Sequence, residues 1–431
     1  MGALKSLSEV HRSILVPDSA SFFKKMIAFS GPGYLVAVGY MDPGNWATDL
    51  AGGSKFGYAL LFVILLSNLF AMLLQHLAVK LGIVTGRDLA QACHDTFPKW
   101  INRFLWLMAE IMIIACDLAE VIGTAIALEL LFHIPLPIGV IITAADVLVI
   151  LLLQKRGFRY LEALIMTLIG TVVVCFVLEI VFSQPEIAPL LKGFIPTTEL
   201  FTNPEMLLIA VGILGATVMP HNLYLHSAVV QTRAHAKTAK GKKEAIKFAT
   251  IDSTVALSLA FFVNAAILIL AAATFYVSGH GEVAEIGEAY QLLAPLLGVG
   301  AASTLFAVAL LASGQNSTIT ATLAGQVILE GFLHIRVKPW LRRLITRALA
   351  IIPAVCIVLL YGSSGLSALL IFSQVILSMQ LPFAVLPLVL FTSSKKRMGR
   401  FVNPLWVKVA AFSITFIITS LNLWLIFNVL A

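Results

Sequence analysis

The chain has 431 residues, 59% of them hydrophobic and only 12% charged, and its mean hydropathy is +0.96. This excludes a globular enzyme with a single anchor and describes an all-α protein that crosses a membrane many times. A net charge of +7 would suggest nucleic acid as a partner of a soluble protein. Here the cations fall in alternate loops, which is a mark of topology, and no nucleic-acid binding is expected.

Residues 1–25 are polar or mixed and are expected to form a cytoplasmic segment with no cleavable signal. Runs of about 20 apolar residues then mark roughly eleven spans, at 26–52, 57–82, 101–131, 136–154, 160–183, 205–231, 247–276, 298–328, 341–361, 366–392 and 404–429. Lys24 and Lys25 precede the first span, and Arg87 and Lys99 lie between the second and third. Arg233 and the lysines from Lys237 to Lys247 follow the sixth, and Lys395, Lys396, Arg397 and Arg400 follow the tenth. The intervening loops are short and nearly uncharged, or acidic like Glu282, Glu285 and Glu288. Short cytoplasmic loops collect Lys and Arg, so the N-terminus is expected inside and the C-terminus outside a cell membrane. The whole chain, 1–431, reads as one transporter domain without a soluble module. Cys93, Cys116, Cys175 and Cys356 have no metal-ligand spacing and are expected to be buried thiols.

The first span contains Gly39-Tyr40-Met41-Asp42-Pro43-Gly44-Asn45. A carboxylate in mid-membrane is costly and usually faces a cavity or partner. Pro43 and Gly44 interrupt the helix beside it, freeing backbone carbonyls that protein, water or an ion must satisfy. The third span carries Glu110, Asp117 and Glu120; the last two, three residues apart, share a helix face and suit a proton relay or an ion pair with Arg342 or Arg343. The sixth span repeats the interruption, in Gly215-Ala216-Thr217-Val218-Met219-Pro220-His221-Asn222.

Two breaks separated by an odd number of spans run in opposite directions, which is the pattern of an inverted repeat, 26–183 against 205–392, with 404–429 as an additional helix. Where such breaks meet, Asp42 offers a carboxylate, Asn45 an amide oxygen, Met219 a thioether, and Gly39 and Ala216 their carbonyls. The thioether adds softness that favours Mn²⁺, Fe²⁺ or Cd²⁺ over Mg²⁺ or Ca²⁺. His221 suits proton transfer better than ligation. A sodium and amino-acid symporter of the LeuT type would use the same breaks but leave Met219 without a role, and a divalent cation channel would need no alternating access. No His-Glu-x-x-His pattern supports an intramembrane metalloenzyme, so no enzyme activity and no cofactor are expected.

Asp42-Pro43-Gly44-Asn45 and Met219-Pro220-His221-Asn222 together resemble the signatures of the Nramp divalent-metal transporters. So do Asp117-Leu118-Ala119-Glu120, Gln154-Lys155-Arg156-Gly157, Tyr224-Leu225-His226-Ser227, Leu311-Ala312-Ser313-Gly314 and Ser373-Gln374-Val375-Ile376, in the same order along the chain. The resemblance implies a LeuT-like fold and proton-coupled import of Mn²⁺, Fe²⁺ and related ions such as Cd²⁺ and Co²⁺. It implies that Asp42, Asn45, Met219 and the Ala216 carbonyl bind metal, that Gly39 stands where the family often has alanine as a carbonyl donor, and that Gln374 approaches the ion in occluded states. Asp117, Glu120, Glu110, His221, His226 and Arg342 or Arg343 would belong to the proton route. Metal ions, protons and the lipid bilayer are the expected partners, with no obligate protein partner.

Overall fold

The computed structural model describes residues 6–16, 21–143, 157–281, 283, 285–335, 338–361 and 364–430. The first span is broken as its sequence suggests. Helix α1 (Phe22–Phe29) and α2 (Pro32–Ala37) lead into a single 3₁₀ turn, Val38–Met41; Asp42 is extended (φ −68°, ψ 164°), and α3 (Pro43–Phe56) restarts the helix. Pro43 occupies the first helical position, where its missing N–H costs nothing. Asp42 caps the new helix by accepting from the Asn45 backbone N–H at 2.9 Å.

The long helices that follow are α4 (Leu61–Thr85), reached after the short α3 restart, the brief α5 (Leu89–His94), and α6 (Lys99–Phe132). Next come α7 (Leu136–Ile142), whose continuation in the expected fourth span lies outside the described residues, and α8 (Phe158–Ser183). The second interruption separates α9 (Pro204–Thr217) from α10 (Pro220–Val229). Val218 and Met219 are non-helical (ψ 71° and 117°) and Pro220 again opens the new helix. The second half continues with α11 (Ala239–Ala271), α12 (Ile286–Leu297), α13 (Ala301–Leu333), α14 (Pro339–Tyr361), α15 (Ser364–Ser393) and α16 (Leu405–Leu430).

Among the described residues seven helical stretches are long and apolar enough to cross a membrane. The expected eighth span, α13, is long enough but carries Ser313, Asn316, Ser317, Thr318 and Thr320, all buried against neighbouring helices. Its buried polar side chains serve interhelical contact. The all-helical expectation misses one detail, a two-residue parallel pairing of Ile14–Leu15 with Arg233–Ala234 that ties the N-terminal segment to the end of the sixth span.

Large apolar side chains point outward along the periphery, among them Val174 and Val181 on α8 and Phe416 on α16, while polar groups collect inside. This inverts the soluble-protein pattern and suits a lipid surround. The same geometry corrects the expectation for the cysteines. Cys93, Cys116 and Cys175 are buried, but Cys356 is exposed. It lies one turn after Ile352, which is 60% exposed, on the unpacked face of α14.

Candidate metal-binding site

The two interruptions lie against each other. A Cβ on Gly39, just before the first break, would collide with the Asn222 amide of α10, just after the second. Gln374 of α15 fills the angle between them: a Cβ on Gly44 would strike its side chain, and one on Gly215 would strike its backbone oxygen and Ser378. The Gln374 amide also faces the Asp42 carboxylate. Small residues at these positions therefore let three segments close on one point; a methyl group at Gly39 or Gly44 would displace the Asn222 or Gln374 side chain, and one at Gly215 would meet backbone and push the segments apart.

Asp42, Asn45, Ala216, Met219, His221 and Gln374 are all at most 1% exposed, so both approaches to this point are shut in the conformation described. Burial should force polar atoms to find partners, yet several here have none among the described residues. They are Asp42 Oδ2, both polar atoms of Asn45, both nitrogens of His221, both polar atoms of Asn222 and Gln374 Oε1. The Met219 thioether stands at the head of α10 in the same region. The donors are one carboxylate, amide oxygens, a sulfur and backbone carbonyls. Among the described residues no group of three or more His, Cys, Asp or Glu side chains could hold a metal ion, so any ion here would rely on this mixed set.

The freed backbone of the first break is partly satisfied by protein. Asn264 Nδ2 donates to the Tyr40 carbonyl at 2.9 Å, Trp46 Nε1 to the Met41 carbonyl at 3.3 Å, and Ser313 Oγ also donates to Met41. His226, expected on the proton route, is held differently from His221. Its Nδ1 meets Gln75 Oε1 at 2.9 Å, and Gln75 Nε2 donates to the Tyr40 hydroxyl at 2.7 Å. The chain His226–Gln75–Tyr40 thus links α10, α4 and the first break.

Helix α6 passes directly beside this point, because a Cβ on Gly123 would meet the Pro43 ring. Glu120 lies one turn before Gly123, fully buried, with Cys116 Sγ 3.6 Å from its Oε1. Asp117 is 5% exposed, and Glu110 accepts from Trp106 Nε1 at 3.0 Å, farther along the helix. Arg342 and Arg343 belong to α14, but their side chains fall outside the described residues, as does most of Gln154-Lys155-Arg156-Gly157.

Sequence reasoning passed over other polar residues of this core. Asn222 and Asn264 border the first break, and Asp49 lies wholly buried two turns along α3 from Asp42, with Oδ2 unpartnered among the described residues. Asp49 was visible as a second acid in the same apolar run, and Asn222 stood in the second break without a role; Asn264 carried no such signal.

The sequence profile of the natural resistance-associated macrophage protein-like family matches residues 33–428. The chain belongs to the Nramp family. It is 64% identical over 421 residues to the divalent metal cation transporter MntH of a Nostoc species, covering 98% of this chain and 95% of that one. It is 62% identical over 425 residues to the MntH of Listeria monocytogenes, covering 99% and 95%. Among solved structures, the Eremococcus coleocola manganese transporter superposes with a TM-score of 0.91 at 46% identity, over 97% of this Nramp chain and 90% of its own. Mhp1, a nucleobase-cation-symport-1 family transporter, matches at 15% identity with a TM-score of 0.60, covering 91% of this chain and 90% of its own. That likeness is one of fold alone and places the chain in the LeuT-like architecture with first and sixth helices broken in mid-membrane.

Proposed function

We propose that this Nramp protein imports divalent transition metal ions, manganese foremost and iron, cadmium and cobalt by the same chemistry, with protons moving alongside and by alternating access. The observation that carries the proposal is the sealed meeting of two helix breaks where buried carboxylate, amide and thioether donors are left without partners. The names borne by the Nostoc, Listeria and Eremococcus relatives support the same cargo.

In this mechanism the ion is cargo. Asp42 supplies the negative charge, and Asn45 Oδ1, the Met219 sulfur and the carbonyls of Gly39 and Ala216 replace water ligands. Gln374 closes over the ion as the outer path shuts. The thioether tilts the set toward borderline ions. Asp42 gives up its proton as the ion arrives. On α6, whose Gly123 meets Pro43, the acids Glu120 and Asp117 lie one and two turns before that contact and would receive the proton. His221, His226, Glu110 and the arginines Arg342 and Arg343 complete the proton route. With the N-terminus inside and the C-terminus outside a cell membrane, an inside-negative potential favours entry by about 2.3 kcal/mol per charge per 100 mV. The repeats 26–183 and 205–392 would rock about the breaks while the site stays at their interface.

Replacing Asp42 by alanine tests the assignment in proteoliposomes. Mn²⁺ uptake should fall at least about a hundredfold, equivalent to about 2.7 kcal/mol, while the lost α3 cap lowers folding stability by only about 1 kcal/mol. Parental uptake by Asp42→Ala would remove the central residue from the site.

A further inference from the structure

The first half of the first span carries more aromatic and cationic surface than its packing uses. On α1, Ala28 and Phe29 are buried, whereas Phe22, Phe23 and Ile27 are 48%, 76% and 70% exposed and Lys24 is exposed beside them. The start of α11 stands against this helix. The Phe248 ring lies 5.3 Å from Phe22 and 5.8 Å from Phe29, and Lys247 Nζ sits 5.8 Å from the centre of the Phe22 ring. The one acid in the first turns of α11, Glu244, is taken by Lys25 at 2.8 Å. Lys24, Lys240, Lys243 and Lys247 are exposed and form no ion pair with a carboxylate among the described residues, Glu244 alone feeling the charges of Lys240 and Lys247 while it bonds Lys25.

Exposed aromatic and aliphatic groups beside ammonium groups meet the two halves of a phospholipid, acyl chain and phosphate. A phosphate-bearing soluble ligand would use the lysines but give Phe22, Phe23 and Ile27 nothing to do. We propose that α1 and the first turns of α11 form a binding surface for an anionic phospholipid, its phosphate between Lys24 and Lys247 and its chains along Phe22, Phe23 and Ile27. The site is placed to act on transport. The far end of α1 is held by Arg159, which donates to the carbonyls of Ile27, Ala28 and Ser30, and by Arg233, which donates to Ala28 and Ser30. A lipid bridging α1 and α11 therefore adds to the arginine contacts and the Lys25–Glu244 pair that brace the segment leading directly into the first break.

The experiment uses the full chain with phosphatidylglycerol as the probe. Lipid retained through purification is counted by native mass spectrometry, and Mn²⁺ uptake is compared in vesicles of phosphatidylcholine with and without phosphatidylglycerol. Lys24→Gln with Lys247→Gln should weaken phosphatidylglycerol retention by about thirtyfold, on the scale set by two lysines at an anionic surface. The same variant should lose the response of uptake to phosphatidylglycerol. Lys192→Gln, an exposed lysine at the end of the short helix Ile187–Lys192, should keep both, and Lys24→Arg with Lys247→Arg should restore both. Unchanged retention in the glutamine variant would overturn the proposal. So would displacement of the lipid by excess glycerol 3-phosphate, which would mark a site for soluble phosphate. Retention is read without metal, so it stands apart from the assignment of Asp42.

Discussion

Two buried polar regions of this protein are built in opposite ways. At the meeting of the helix breaks, Asp42, Asn45, His221, Asn222 and Gln374 hold polar atoms without partners among the described residues. At the head of the first span the buried charges are answered. Arg233 Nη1 meets Glu162 Oε1 at 2.7 Å, with both side chains wholly buried, and Arg233 also donates to Thr232 and to the carbonyls of Ala28, Phe29 and Ser30. Asp252 accepts from the backbone of Gly31 at 3.3 Å and Gly33 at 2.6 Å, capping α2. Gly31 reaches that position only at φ +133°, and a side chain there would strike the Glu162 carboxylate. A buried polar cluster that satisfies itself can hold segments together. One that does not has bonding capacity left for a ligand.

The largest effect expected from this contrast is on stability, and it falls on the satisfied region. Burial pulls the Arg233 guanidinium down from its ordinary value, and the Glu162 carboxylate beside it works to keep it charged. Arg233→Ala leaves the buried Glu162 carboxylate with only the partly exposed Arg159, at 3.2 Å, and takes the guanidinium donor from Phe29 and Thr232, so the folded state should lose about 3 kcal/mol, read as thermal or denaturant unfolding in detergent. Glu162→Gln combined with Arg233→Met removes both charges and should cost less than Arg233→Ala alone. If Arg233→Ala unfolded like the parent, the network would not be holding α1, and the contrast between the two regions would lose one side.

The unsatisfied region was largely legible in the sequence and the satisfied one was not, for a physical reason. A proline, a glycine and an acid inside an apolar run contradict a membrane helix locally, so Asp42-Pro43-Gly44-Asn45 and Met219-Pro220-His221 declare themselves within a few residues. The satisfied network depends on partners from remote parts of the chain. Arg233 reads as one more loop cation, and only folding brings it to Glu162 and to the carbonyls of α1. Tyr40, Gln75 and His226 are similar, since no local pattern joins three polar side chains from three segments. The helix expected as the eighth span is present although its buried serines and threonines dilute its apolar character, and Cys356 was misplaced because a cysteine in an apolar run does not reveal which face of its helix is packed.

An effect no larger tests the satisfied side by pH. Asp88, between α4 and α5, is buried, and burial pushes its carboxyl up from the ordinary 3.8 to about 6, against the backbone N–H groups of Gln91 and Ala90 and the charge of Arg87. Its folded value exceeds its unfolded value. The stabilisation it gives is therefore complete below the unfolded value and is lost as pH rises through about 6. The whole swing is about 3 kcal/mol. Asp88→Asn keeps a side chain able to cap α5, and should flatten the difference in unfolding free energy between pH values below and above that window. An unchanged pH profile would mean that Asp88 is charged at no cost, and that this loop is better satisfied than its geometry indicates.

The smallest effect is the most specific to the unsatisfied side. Met219 is fully buried, so Met219→Ala would mix a lost ligand with a cavity costing about 2–5 kcal/mol. Met219→Leu keeps the volume at a cost below about 1.5 kcal/mol and removes only the sulfur. Mn²⁺ and Ca²⁺ uptake measured side by side in the same vesicles should then show their ratio falling by about tenfold, or about 1.4 kcal/mol. The ratio is the decisive quantity, because a loosened core slows both ions together while a lost thioether penalises the softer ion alone. Equal slowing of both ions would leave Met219 as packing, and the site would rest on Asp42, Asn45 and backbone oxygens, a donor set that gives manganese no advantage over calcium.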